Sequence, residues 1–143
     1  MGVESAELTV GYLVKRVQQA LRRNCDAALR PIGLSMAQYS VLRALADHPS
    51  ASAAQLARLC FVTRQSLQDV LNGLRSDGLV DTAPGPSSGR AVPLALTAPG
   101  RRRLAAAHRA VLAVDAAMVA ELPAGATAQM TQWLLSCAEE LEG

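Results

Sequence analysis

Three helix-start signals fall between residues 35 and 63, and they leave no room for a long helix in that stretch. Ser35-Met-Ala-Gln38 and Ser52-Ala-Ala-Gln55 are both S-x-x-Q capping boxes. In each, the serine oxygen can accept from the backbone N–H three residues on, while the glutamine reaches back. Thr63 is a third cap. The first signal predicts a helix with Val41, Leu42 and Leu45 on one face, ending near His48-Pro49. The second predicts a short helix with Leu56, Leu59 and Cys60 turned inward. The third opens a helix with Leu67, Val70, Leu71 and Leu74 at i, i+3, i+4 and i+7, a core-facing stripe. Gly78 stands where a left-handed C-terminal cap belongs.

The period then changes. Residues 79–82 read as a short strand, 83–89 (APGPSSG) as a turn-rich loop, and 90–97 as an alternating strand with Val92, Leu94 and Leu96 on one side. This is one β-hairpin, whose tip carries Ser87, Ser88, Gly89 and Arg90. Pro93 restricts the second strand to an edge or bulge position. A lone hairpin is not stable in water, so it must pack on the helices.

Long helices flank this unit. Residues 4–30 repeat apolar side chains every three or four positions, until Pro31 and Gly33. Thr97 caps another helix, with Pro99 in its first turn, running to Leu122-Pro123. A last helix over about 126–141 puts Met130, Trp133, Leu134, Cys137 and Leu141 on one face. The predicted class is mostly α with a small β-hairpin wing: a winged helix-turn-helix over 35–97, flanked by a helical dimerisation region over 1–34 and 98–143. The flanking helices are apolar over more area than the small central unit can cover. A second copy of the chain, related by a two-fold axis, is the simplest cover.

Composition fits this reading. Half of the 143 residues are hydrophobic and only 3% are aromatic, so the core must be aliphatic. No apolar run is long enough for a membrane span. The first residues lack a basic start followed by an apolar block, so no signal peptide is expected. The net charge of +2 conceals a division. Fourteen basic and seven acidic residues give +7 for residues 1–110, and the remaining five acids give −5. A basic body with an acidic tail is compatible with nucleic-acid binding, and equally with chance segregation.

The polar face of the third capped helix points more directly. Arg64, Gln65, Gln68, Asn72 and Arg75 occupy it, with Asp69 the only acid before Asp77. Arg, Gln and Asn pair bidentately with guanine and adenine edges in the major groove. A plain solvated face is the alternative, although such faces usually mix Glu with Lys. Arg101, Arg102 and Arg103 at a helix N-terminus oppose the helix dipole, a placement better suited to a nearby polyanion than to stability. The small hydroxyls and Arg at the hairpin tip suit close approach to a phosphate backbone or minor groove.

Taken together, the pieces GLSMAQYSVLRAL, SAAQLARLCFVTRQSLQDVLNGLRSDGLV and GRAVPLALTAPGRRRL resemble the MarR-type transcriptional regulators over essentially the whole chain. The Gly78-Leu79-Val80 and Leu96-Thr97-x-x-Gly100 steps are the most specific. The resemblance implies a homodimeric, cytoplasmic, sequence-specific DNA-binding regulator of a near-palindromic operator. It implies a repressor relieved by a small aromatic or phenolic ligand, or by oxidation. Carried over by position, the recognition residues are Thr63, Arg64, Gln65, Ser66, Gln68 and Asn72, the wing contact is Arg90, and Ser35, Ser52 and Arg75 are candidate phosphate contacts. By the same analogy Tyr12, Arg16, Tyr39, Arg43 and His48 are candidates for holding a carboxylate or phenol, with ordinary packing roles as the alternative. Two positions depart from the family pattern. Ser88 stands where an Asp usually orients the wing Arg, and Thr82 stands where many members carry an Arg.

Other readings remain open at this level. The same fold could be a protein-interaction module. An oxidation-sensing switch at Cys25 would need an accessible thiol of depressed pKa. Cys25, Cys60 and Cys137 match no zinc or redox spacing, so no metal or cofactor is expected. No Ser/His/Asp set, carboxylate pair or phosphate loop suggests an enzyme.

Overall fold

The computed structural model describes residues 5–85, 89 and 91–143. Six α-helices and two short strands follow in order: α1 (Val10–Leu29), α2 (Met36–Asp47), α3 (Ala53–Leu59), α4 (Arg64–Ser76), β1 (Val80–Thr82), β2 (Leu94–Leu96), α5 (Ala98–Met118) and α6 (Ala126–Glu142). The expected helix over 4–30 is not continuous. A 3-10 turn over Ala6–Leu8 is capped by Ser5, and Thr9, in extended backbone, restarts the chain as α1 by accepting from the Tyr12 N–H. A cap residue inside an amphipathic pattern broke the helix without breaking the pattern.

The capping boxes form as the spacing predicts. Ser35 Oγ accepts from the Gln38 N–H at 3.1 Å, and Gln38 Oε1 accepts from the Ser35 N–H at 3.0 Å. Ser52 and Gln55 repeat this at 3.2 and 2.8 Å. Thr63 Oγ1 accepts from the Ser66 N–H at 3.0 Å and starts α4. Between α3 and α4 the chain turns on Phe61, which holds a left-handed φ of 55° although it is not a glycine. Its N–H and that of Val62 close on the Arg58 and Ala57 carbonyls. The Phe61 ring is left 93% exposed, while Val62 packs against the core.

Leu29, Val41, Leu42, Leu56, Leu67, Leu74, Leu79 and Val80 are fully buried, with Tyr39 and Ala107 beside them. Each buried Leu contributes about 2 kcal/mol by leaving water. The core therefore lies between α2, α3 and α4, closed by the end of α1 and the middle of α5. Leu59, expected inward, is 47% exposed. In a seven-residue helix only Leu56 and Ala57 reach the core, and Leu59 falls outside that arc.

The hairpin is shorter than expected. Val80, Asp81 and Thr82 pair antiparallel with Leu96, Ala95 and Leu94. Beyond Pro93 the incoming strand changes partner: Ala91 bridges to Ser52, and the Val92 N–H donates to the Ala51 carbonyl at 3.1 Å. The loop before α3 is thus tied to the wing base by an isolated bridge beside the two-stranded sheet. At the other end, the Thr97 N–H donates to the Leu79 carbonyl at 3.0 Å, and Thr97 Oγ1 donates to the Gly78 carbonyl at 2.7 Å. Gly100, in the first turn of α5, lies directly against Leu79: a Cβ there would sit 2.0 Å from the Leu79 carbonyl oxygen. The Gly-Leu-Val and Leu-Thr-x-x-Gly steps are the two halves of one joint.

α5 ends at Met118, a turn before the expected Leu122. α6 has no buried residue, and Trp133 is 61% exposed. A groove of 620 Å³ runs between α1 and α5, lined by Val17, Leu21, Ala28, Ala110, Val114 and Met118 among others. Among the described residues no helix is long and apolar enough to cross a membrane.

Candidate nucleic-acid interface and ligand cluster

The stripe of Leu67, Leu71 and Leu74, with Val70 half-buried, anchors α4 to the core. The helix repeat then turns Arg64, Gln65, Gln68, Asp69, Asn72 and Arg75 outward, and all six are exposed. They are not independent. Gln65 Nε2 donates to Asp69 Oδ1 at 3.2 Å, and Gln68 Nε2 donates to Asn72 Oδ1 at 3.0 Å. These i, i+4 bonds fix the amides, so Gln68 presents its oxygen and Asn72 its NH2 group. A neighbouring acceptor and donor of this kind match the adenine N6/N7 edge. The Arg64 side chain makes no hydrogen bond among the described residues and lies in the first turn of α4.

The other residues have mixed surroundings. Thr63 and Ser66 form the cap, with a further hydroxyl bond of 3.0 Å between them. Ser35 and Ser52 spend their oxygens on the capping boxes, and each hydroxyl proton remains available to an acceptor. Arg75 is drawn away from the centre of the face to the wing base. It donates to Thr82 Oγ1 at 3.0 Å and lies 3.6 Å from Asp81 Oδ1. Thr82 here accepts from a cation instead of supplying one. Ser87, Ser88 and Arg90 lie outside the described residues. Arg101 Nη1 donates to the Leu96 carbonyl at 3.0 Å, so the arginine triplet is partly used within the fold.

The five ligand candidates separate. Tyr39 is buried and Arg43 half-buried, one turn apart on α2, and both meet His108 of α5. Tyr39 Oη is 3.0 Å from His108 Nδ1, Arg43 Nη1 contacts the same nitrogen, and the two rings are nearly parallel at 14°. Arg43 Nη1 also lies 3.2 Å from His108 Nε2 and 3.4 Å from Tyr39 Oη, so the guanidinium touches both partners. Asp47 receives Arg43 Nε at 2.7 Å and, chiefly through that bond, pushes the guanidinium further above its ordinary pKa. Tyr12 and Arg16 are exposed on the first turns of α1, and His48 is the exposed C-cap of α2. Among the described residues no side-chain hydrogen bond joins these three to the cluster. The sequence reading missed His108. Its signal was a polar residue four positions after Leu104, on the apolar stripe of α5.

Cys25 is fully buried, and its thiol is pushed above the ordinary value, first by burial and then by Asp26 and Asp115. Burial raises the Cys60 thiol in the same way. A sensor thiol needs the opposite shift. Among the described residues no three His, Cys, Asp or Glu side chains gather as a metal site.

Capped short helices, an outward polar helix face and a two-strand wing base define a winged helix-turn-helix protein. Residues 32–91 match the model of the MarR family. The HTH-type transcriptional repressor Rv2887 of Mycobacterium tuberculosis is 42% identical over 115 residues, 80% of this chain and 83% of that one. The chain belongs to the MarR family. The crystal structure of Rv2887 in complex with salicylic acid superposes with a TM-score of 0.76 at 37% identity, covering 92% of this chain and 98% of that one. The structure of Rv2887 in complex with DNA gives a TM-score of 0.74 at 35% identity, covering 90% and 97%.

Proposed function

We propose that this protein is a cytoplasmic, homodimeric transcriptional repressor that reads a near-palindromic DNA site through α4 and releases it on binding a small aromatic acid or phenol. The observation that carries the reading is the outward face of α4, where Arg64, Gln65, Gln68 and Asn72 are exposed and the amides pre-set. The relative that is named a repressor and has been crystallised with DNA and with salicylic acid supports the same assignment.

In this reading residues 35–97 form the DNA-binding lobe, and 1–34 with 98–143 the dimerisation region. The α1–α5 groove and the apolar side of α6 are then covered by a second subunit. A two-fold axis would set two α4 helices about one DNA turn apart. The Tyr39–Arg43–His108 cluster supplies what an aromatic acid needs. Arg43 can pair with the carboxylate, Tyr39 or His108 can bond a ring hydroxyl, and the half-buried surroundings shed water.

Fluorescence anisotropy with DNA from upstream of the protein's own gene tests the reading. Binding that weakens steeply with salt, and is lost on adding salicylate, is expected. Affinity indifferent to salt would instead favour a protein-docking role. Light scattering in solution should give twice the chain mass of 15.0 kDa.

A further inference from the structure

Asp69 is the only acidic residue between Asp47 and Asp77. It stands on the exposed face opposite the Leu67–Leu71–Leu74 stripe, beside Gln65 and Asn72. Among the described residues it is in no ion pair; the pairs found there are Arg43–Asp47 and Arg75–Asp81. An unneutralised carboxylate in the middle of a surface that approaches phosphates weakens binding to every DNA sequence alike. Such a group helps only if a particular base pair returns the loss.

The geometry points to a specificity-determining role: we propose that Asp69 selects a cytosine in each half of the DNA site. The inference rests on the DNA-binding reading above. Asp69 Oδ1 already accepts from Gln65 Nε2 at 3.2 Å, which engages one carboxylate oxygen of an exposed side chain and leaves Oδ2 without a hydrogen bond among the described residues. An ionised carboxylate only accepts hydrogen bonds. In the major groove guanine offers two acceptors and thymine an acceptor and a methyl, so both repel it or leave it unpaired. Adenine offers a donor, but with the N7 acceptor beside it. Cytosine offers its N4 amino group, with no acceptor beyond it on that edge. Cytosine is therefore the one base that gains without a penalty. Gln65, held from behind by Asp69, keeps its oxygen and second N–H for the neighbouring base.

The test is selection from a duplex library randomised across the half-site, with the full chain and with Asp69→Ala and Asp69→Asn. The side chain is exposed and outside the core, and circular dichroism melts confirm that the variants fold. The wild type should enrich cytosine at one position per half-site about tenfold or more. Asp69→Ala should lose that preference while binding random duplex more tightly. Asp69→Asn, which keeps an acceptor for Gln65 and gains a donor, should move the preference towards adenine. Both variants binding every sequence more tightly, with base preferences unchanged, would overturn the proposal. If the wild type itself retains no duplex, the DNA-binding reading fails, a different and recognisable result.

Discussion

Replacing Gly100 by alanine sets two effects of opposite sign against each other. Gly100 lies within α5, where alanine is favoured over glycine by about 1 kcal/mol. Propensity alone therefore says that Gly100→Ala stabilises. Packing says otherwise. The new Cβ would sit 2.0 Å from the Leu79 carbonyl oxygen and 2.9 Å from its carbon. Real Cβ contacts essentially never fall below 3.0 Å, so the joint must open by at least 1 Å. The same oxygen accepts from the Thr97 N–H at 3.0 Å, and that bond is lost in the movement. Overpacking costs ~1–3 kcal/mol, and an unmade buried hydrogen bond costs a similar amount. After the propensity gain, a net loss of about 3 kcal/mol is expected. Urea unfolding at fixed protein concentration measures it, and with a slope of ~2 kcal/mol per M the midpoint should fall by about 1.5 M. Gly73→Ala in α4 is the control. Nothing lies within 4 Å of its Cβ position, so it should gain about 1 kcal/mol. If Gly100→Ala unfolds at the same urea concentration as the wild type or higher, the close approach of α5 to Leu79 is refuted.

Further outcomes are specific. Thr63→Ala removes the cap of α4 and should cost about 1 kcal/mol in the same unfolding assay. Gln68→Ala and Arg64→Ala should each weaken binding to a preferred DNA site by ~1–3 kcal/mol, with a smaller effect on random duplex, read by anisotropy. Tyr39→Phe deletes the hydroxyl that hydrogen-bonds His108 and should lower stability by ~1 kcal/mol and weaken salicylate binding in calorimetry; unchanged values for both would remove the cluster from the ligand site. Folding raises the Cys25 thiol, so its contribution is constant below the ordinary thiol range and stability falls as pH rises above it. At neutral pH Cys25 should react with Ellman's reagent only as the chain opens, and prompt native-state reaction would contradict its burial.

The local features were legible because their causes are local. A capping box needs four residues, and Ser35, Ser52 and Thr63 open helices where the sequence places them. The outward face of α4 follows from helix period and the Leu67–Leu74 stripe. What escaped depends on partners far along the chain. Nothing near Ala91 announces that it will bridge to Ser52, and nothing near Tyr39 names His108, 69 residues away. Leu59 was misplaced because seven residues are too few for an apolar arc to show its centre. The break at Thr9 was hidden because the apolar period runs through it unchanged.

The joint at Leu79 has a mechanical consequence. It binds the end of α4, the start of β1 and the first turn of α5 through two hydrogen bonds and one close contact. The reading helix therefore rides on the end of a lever. α5 has 21 residues and is about 31 Å long, so a tilt of about 6° about its far end carries the joint roughly 3 Å. That is about one base-pair step. In the proposed dimer a small change in how α5 crosses its neighbours is enough to put α4 out of register with the groove.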